Sequence, residues 1–173
     1  MKPTPRAALR AATIPLCLAT SLAAETTIDR VRAATERFTD VSVAIAEGYG
    51  PIPCASGASG GAMGIHYVHP DHLGGDGNTL DIAHPEAIMY EPQADGRLVL
   101  VGVEYITFAG PAEIDGHLLH HVGAPNRYGL DPFYELHVWA HRENPAGAFV
   151  DMNADVSCDF AGARPRFINY GPR

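Results

Sequence analysis

"RLVLVGVEYITF", residues 97–108, decides how the rest of the chain reads. Taken as a strand, it turns Leu98, Leu100, Gly102, Glu104, Ile106 and Phe108 to one face, because successive side chains alternate. That face is apolar apart from one carboxylate at its centre. A buried carboxylate costs several kcal/mol unless it takes up a proton, pairs with a cation or binds a metal. The partner of Glu104 is therefore the first thing to identify.

Upstream of this strand, "EAIMYEP" (86–92) and the turn "QADG" (93–96) complete a hairpin. Downstream, "PFYELHVWAH" (132–141), the turn "ENPAG" (143–147) and "AFVDMN" (148–153) read as a second hairpin. "IHYVHP" (65–70) reads as a short strand ended by Pro70, and "RFINY" (166–170) as a last strand. A Gly/Ser/Ala loop, "PIPCASGASGGAMG" (51–64), leads into the sheet, and a long polar connection spans 109–131. Ahead of all this, Ile28, Val31, Ala34, Phe38, Val41 and Ile45 have the three-and-four spacing of an amphipathic helix. Thr26 with Asp29 makes a capping box, Thr39-Asp40 is a candidate break, and Gly48 followed by Pro51 ends the helix. The fold class is α+β: an N-terminal helix, whole or broken, packed on a mostly antiparallel sheet or small open β-barrel.

The first residues bear on the compartment. Lys2, Arg6 and Arg10 precede the apolar run "AATIPLCLATSLAA" (11–24), and "SLA" (21–23) offers small residues at the cleavage positions. Residues 1–23 read as a secretory signal peptide, too short for a transmembrane helix, and Cys17, preceded by a bulky leucine, is not read as a lipidation site. Residues 24–173 then form a single exported domain, and removing the three leader charges takes the formal net charge from −8 to −11. No lysine remains. An acidic, lysine-free chain argues against nucleic acid and anionic membranes as partners, and it excludes lysine Schiff-base chemistry. Two cysteines remain, Cys54 and Cys158, and in an oxidising compartment they are expected to form a disulfide.

All nine histidines lie between His66 and His141. His66 and His137 stand within predicted strands, as Glu104 does, and adjacent strands about 4.8 Å apart let inward side chains reach one ion. His120, in "HLLHH" (117–121), can close the site from the connection. The expected centre is thus His66, Glu104, His120 and His137 around one divalent transition-metal ion (Zn, Cu, Fe or Mn), since imidazoles with one carboxylate do not suit Ca or Mg. Its affinity should fall as pH drops through the histidine range near about 6.5. His117 and His121 are alternates for His120, while His69, His72 and His84 read as solvent-facing. Tyr67, Tyr105 and Trp139 are candidate walls of a small-molecule pocket. The rival for Glu104 is a plain ion pair with Arg127 or Arg142. Two weaker patterns carry nothing: "GASGG" (57–61) lacks the strand and helix of a nucleophile elbow, and "DHLGGDGNTLD" (71–81) lacks the alternating carboxylates of a calcium loop.

Taken together, "MGIHYVHP" (63–70), "PEAIMYEP" (85–92), "LVGVEYITF" (100–108), "PNRYGLDPFYELHVWAH" (125–141) and "FVDMNADVSC" (149–158) resemble a family of exported bacterial proteins without established function. In that family Trp often replaces His141 and an aromatic replaces His121. The resemblance implies that neither is a ligand, and it implies no activity. The residues themselves point to an exported mononuclear metalloenzyme of oxidoreductase type. A non-catalytic exported protein, with a structural metal or a role in binding copper or zinc, is the alternative.

Overall fold

The computed structural model describes residues 25–73 and 80–162. The predicted leader (1–23) and "RFINY" lie outside them.

The helical region is broken, as the Thr39-Asp40 signal suggested. Helix α1 (Thr27–Thr35) starts at the expected capping box, with the Thr26 hydroxyl and Asp29 carboxylate exchanging bonds with each other's backbone amides. A 3-10 turn, Glu36–Thr39, follows, and Asp40 caps α2 (Val41–Ala46) by accepting from the Ser42 amide. Next come β1 (Gly50–Pro51), β2 (Ala55–Ser56), β3 (Ala62–Val68) and a single helical turn, α3 (Pro70–Leu73), with proline in its first position. Strands β4 (Ala87–Pro92) and β5 (Leu98–Thr107) form the expected hairpin. The connection at 109–131 is not all loop. It holds β6 (Glu113–Ile114) and β7 (His117–Leu118), joined through Asp115 and Gly116, both with positive φ, and then β8 (His120–Val122). Asp-Gly is the usual sequence for such a two-residue hairpin turn. β9 (Phe133–Val138) completes a fully antiparallel seven-stranded sheet with the path β1-β3-β4-β5-β9-β8, β2 pairing with β3 beside β1. It is an open sheet, not a closed barrel. Among the described residues no helix is long and apolar enough to cross a membrane.

Two expectations about the sheet need correction. First, "AFVDMN" forms no strand: Trp139 N–H donates to the Ala148 carbonyl, and further contact with the sheet comes through an isolated bridge from Asn153 to Ala62. The segment is instead a cover. Second, β5 does not keep one period. Tyr90 pairs with Leu100 but Met89 pairs with Gly102, so Val101 is an extra, bulged residue. Leu100 therefore packs with Phe38, Ala44, Ile88 and Tyr90 under the helices, whereas Gly102 and Glu104 point to the other face. Val103 and Tyr105 lie on the helix side with Val31, Leu136 and Val138.

The face opposite the helices carries His66, Met89, Gly102, Glu104, Glu135, His137 and Trp139. It is covered by the 52–57 loop and the C-terminal segment, which meet in a cluster of Ala55, Met63, Met89, Val101, Trp139 and Val156. Cys54 and Cys158 join these two covers in the expected disulfide, spanning 104 residues of sequence. In the chain-entropy model, closing such a loop is worth about 4–5 kcal/mol. Thiol titration of the denatured, unreduced chain should find neither cysteine free, and reduction should lower the melting temperature by roughly 10 °C or more, at about 2–4 °C per kcal/mol.

Candidate metal centre

Glu104 and His137 are direct partners across the β5–β9 ladder, the closest arrangement two strands allow. His66 comes from two strands away. It pairs with Met89 on β4, which pairs with Gly102 on β5. Its ring reaches Glu104 because the residue beside Glu104 on β4 is only Ala87. Gly102 is obligatory here, since a Cβ would sit 2.6 Å from the Val138 carbonyl oxygen and 2.7 Å from Met89 Cε. The three side chains converge, each buried.

His66 Nε2 lies 3.4 Å from one Glu104 oxygen and His137 Nε2 lies 3.8 Å from the other. Metal–ligand bonds of about 2.0–2.2 Å place neighbouring atoms of a tetrahedron about 3.3–3.6 Å apart, so the spacing suits an ion. It does not suit hydrogen bonds: both ring nitrogens of His66 and both of His137 lack any hydrogen-bond partner. Arg127 donates to the Ser56 carbonyl, and Arg142 binds Glu91 and the Asp155 carbonyl. Among the described residues neither arginine pairs with Glu104, so the plain ion-pair reading loses its partners.

His120 is not brought into this group. It lies exposed on β8, opposite Glu135 in the β8–β9 register. Two carboxylates not anticipated as site residues stand beside the centre instead. Glu135, two residues before His137 and on its face, is buried. Asp151, from the cover, places Oδ1 3.3 Å from His137 Nδ1, out of line for a hydrogen bond. The position of Asp151 is set by its neighbours: the Trp139 indole donates to the Val150 carbonyl at 2.6 Å, and Asn144 donates to the Met152 carbonyl. Period two from His137 marked Glu135; nothing local marked Asp151.

His121 is exposed and lies tilted against the Tyr134 ring, outside the group, and the five other histidines are satisfied. His141 bonds the Thr35 hydroxyl at 2.9 Å, and His117 stacks on Phe149 and bonds Thr27. His69 and His72 are half-buried rather than solvent-facing, stacked on each other and bonded to the carbonyls of Glu47 and Pro85. His84 is exposed and pairs with Asp81. Glu86 shows what the fold does for an ordinary buried carboxyl. Burial pushes it up to about 7, yet it accepts a bond from the Ile106 amide.

Beside the centre lies a cavity of about 470 Å³ that His66 and Glu104 line. Its other walls are mainly apolar, including Ile52, Ile106, Leu130 and Phe133, with Tyr128 and the exposed Arg127 toward the edge. Tyr67, Tyr105 and Trp139 are not its walls. The two tyrosines pack on the helix side, and Trp139 is buried beneath the cover.

The electrostatics of these side chains by themselves are unfavourable in both directions of pH. Burial first, then the neighbouring Glu135, holds Glu104 well above the ordinary carboxyl range. Burial first, then His137, pushes His66 down to about 3, and burial pushes His141 down to about 4. The depressed histidines contribute stability that is present above about pH 6.5 and is lost as pH falls toward these values. The raised carboxyl does the reverse: it costs nothing below its unfolded value and weakens the fold as pH rises through its folded value. Glu104→Gln keeps the shape and removes that charge. In chelator at pH 8 the variant should melt higher than the parent, by roughly 2–4 °C for each kcal/mol relieved. The gain should vanish near pH 4. A variant that melts lower at pH 8 would make Glu104 a structural partner and not a ligand.

No protein-family model, curated protein or solved structure matches this chain, so its chemistry is read from the site alone.

Proposed function

We propose that this is an exported metalloprotein holding one divalent transition ion (Zn, Cu, Fe or Mn) on His66, Glu104 and His137, and that the ion serves an oxidoreductase-type reaction on a small molecule in the adjoining cavity. One observation carries the reading: three buried ligand groups stand at metal spacing, and all four imidazole nitrogens are unpartnered. Three protein ligands leave a coordination position free, and the cavity adjoins two of them. A closed structural site needs a fourth protein ligand, so the cavity favours the catalytic reading over the structural one. Export is supported by the leader-like first residues and by the disulfide.

The chain's own residues have definite parts. Glu104 supplies the negative charge that neutral imidazoles cannot, and the two strand-borne rings fix the ion's position. The apolar walls exclude water and strengthen every electrostatic contact inside. The ion would act as a Lewis acid or, if Cu, Fe or Mn, as a one-electron centre.

Untagged protein should retain tightly bound metal after equilibration with Zn, Cu, Mn and Fe in turn. Glu104→Gln should reduce that affinity strongly, and His141→Ala should leave it nearly intact. Binding should weaken as pH falls, but with Glu104 and not His66 as the proton competitor, because His66 stays neutral down to about 3. The Co(II) form should change its visible spectrum with azide if a position is open. An unresponsive spectrum would favour the structural-metal alternative, and a wild type with no ion held tighter than micromolar would end the metal reading.

A further inference from the structure

Beyond the inner ion, the far side of His137 is also built as a ligand. Its ring is fully buried, yet Nδ1 has no hydrogen-bond partner. Ligand atoms of Glu135, His137 and Asp151 all lie within 4.8 Å of one another. Asp151 Oδ1, 3.3 Å from Nδ1, is spaced as a second ligand would be. A carboxylate that merely orients a metal-bound imidazole accepts its N–H in line, which this one does not. The Asp151 side chain is 47 % exposed, so this side opens to solvent. His120 stands opposite Glu135 on β8.

We propose that His137 Nδ1, Glu135 and Asp151 form a second, outer cation position, so that His137 bridges two divalent ions, with His120 at hand as a further outer ligand. The charges agree. Three acids, Glu104, Glu135 and Asp151, surround two imidazoles, while Arg127 and Arg142 are engaged elsewhere. On taking the second ion, His137 releases its remaining ring proton to solvent, and the resulting imidazolate with three carboxylates matches two divalent ions. The outer position takes no ligand atom from His66 or Glu104, so it goes beyond the inner-ion reading, and only the bridge rests on that reading.

Equilibrium dialysis of the untagged, disulfide-bonded chain against Zn(II) tests it. Wild type should take up two equivalents, the outer one weaker. Asp151→Asn should weaken the outer equivalent at least tenfold and keep the inner one, and Glu135→Gln does the same should the first variant misfold. Glu104→Gln should do the opposite. Doubly Cu(II)-loaded protein should show magnetically coupled spins, seen as lost EPR intensity or a half-field signal. A single equivalent that Glu104→Gln removes would overturn the outer site and leave the inner one standing. A single equivalent that only Asp151→Asn removes would leave the outer site and end the inner one. Two equivalents with uncoupled copper spins would place the second ion elsewhere and overturn the bridge.

Discussion

The carboxylate of Glu104 is buried between two imidazoles, beside a second carboxylate, with no cation of the described chain reaching it. Removing such a group from water costs several kcal/mol even after relaxation. Neutral imidazoles offset little of this, because they supply no net charge. The fold nevertheless holds the three side chains together from β3, β5 and β9, positions that cannot relax independently. A proton, which burial and the neighbouring Glu135 favour on Glu104, or a cation would relieve that arrangement, and the strand pairings keep it in place.

The sheet accomplishes this with small local devices. The extra residue at Val101 changes the phase of β5, so its first half packs under the helices and Glu104 points to the covered face. Ala87 and Gly102 leave the space that His66 needs to reach across β4. The disulfide ties the 52–57 loop to the C-terminal segment, and that pair closes over the site. Removing the clamp would loosen the cover more than the sheet beneath it.

The contrast with the other histidines is informative. His69, His72, His84, His117 and His141 each have a carbonyl, hydroxyl or carboxylate partner. His66 and His137 are the most deeply buried imidazoles of the described chain and have none. A fold that satisfies these five rings but not the two buried ones places the burden where an ion can meet it. The adjoining apolar cavity lowers the local dielectric, which strengthens any charge interaction at the centre.

Several features followed from the sequence because their physics is local. Capping at Thr26 depends on Asp29 three residues on, the helix break depends on Asp40, and the hairpin through "QADG" depends on its turn residues. The two cysteines outside the predicted leader, Cys54 and Cys158, could pair only with each other. His66, Glu104 and His137 were recognisable as strand residues, since polar groups in apolar alternation stand out over a few positions. The tertiary structure alone decided the rest. The bulge at Val101 reverses the facing of Leu98 and Leu100, and only pairing with β4 reveals it. "AFVDMN" has a strand-like composition, yet it serves as a cover because Trp139 and Asn144 bond its carbonyls, and that is what carries Asp151 to His137. The placement of His120 depends on a ladder with β9 that no local pattern encodes. Alternation and capping are written over a few residues; ligand distances are set by pairings between strands far apart in the chain.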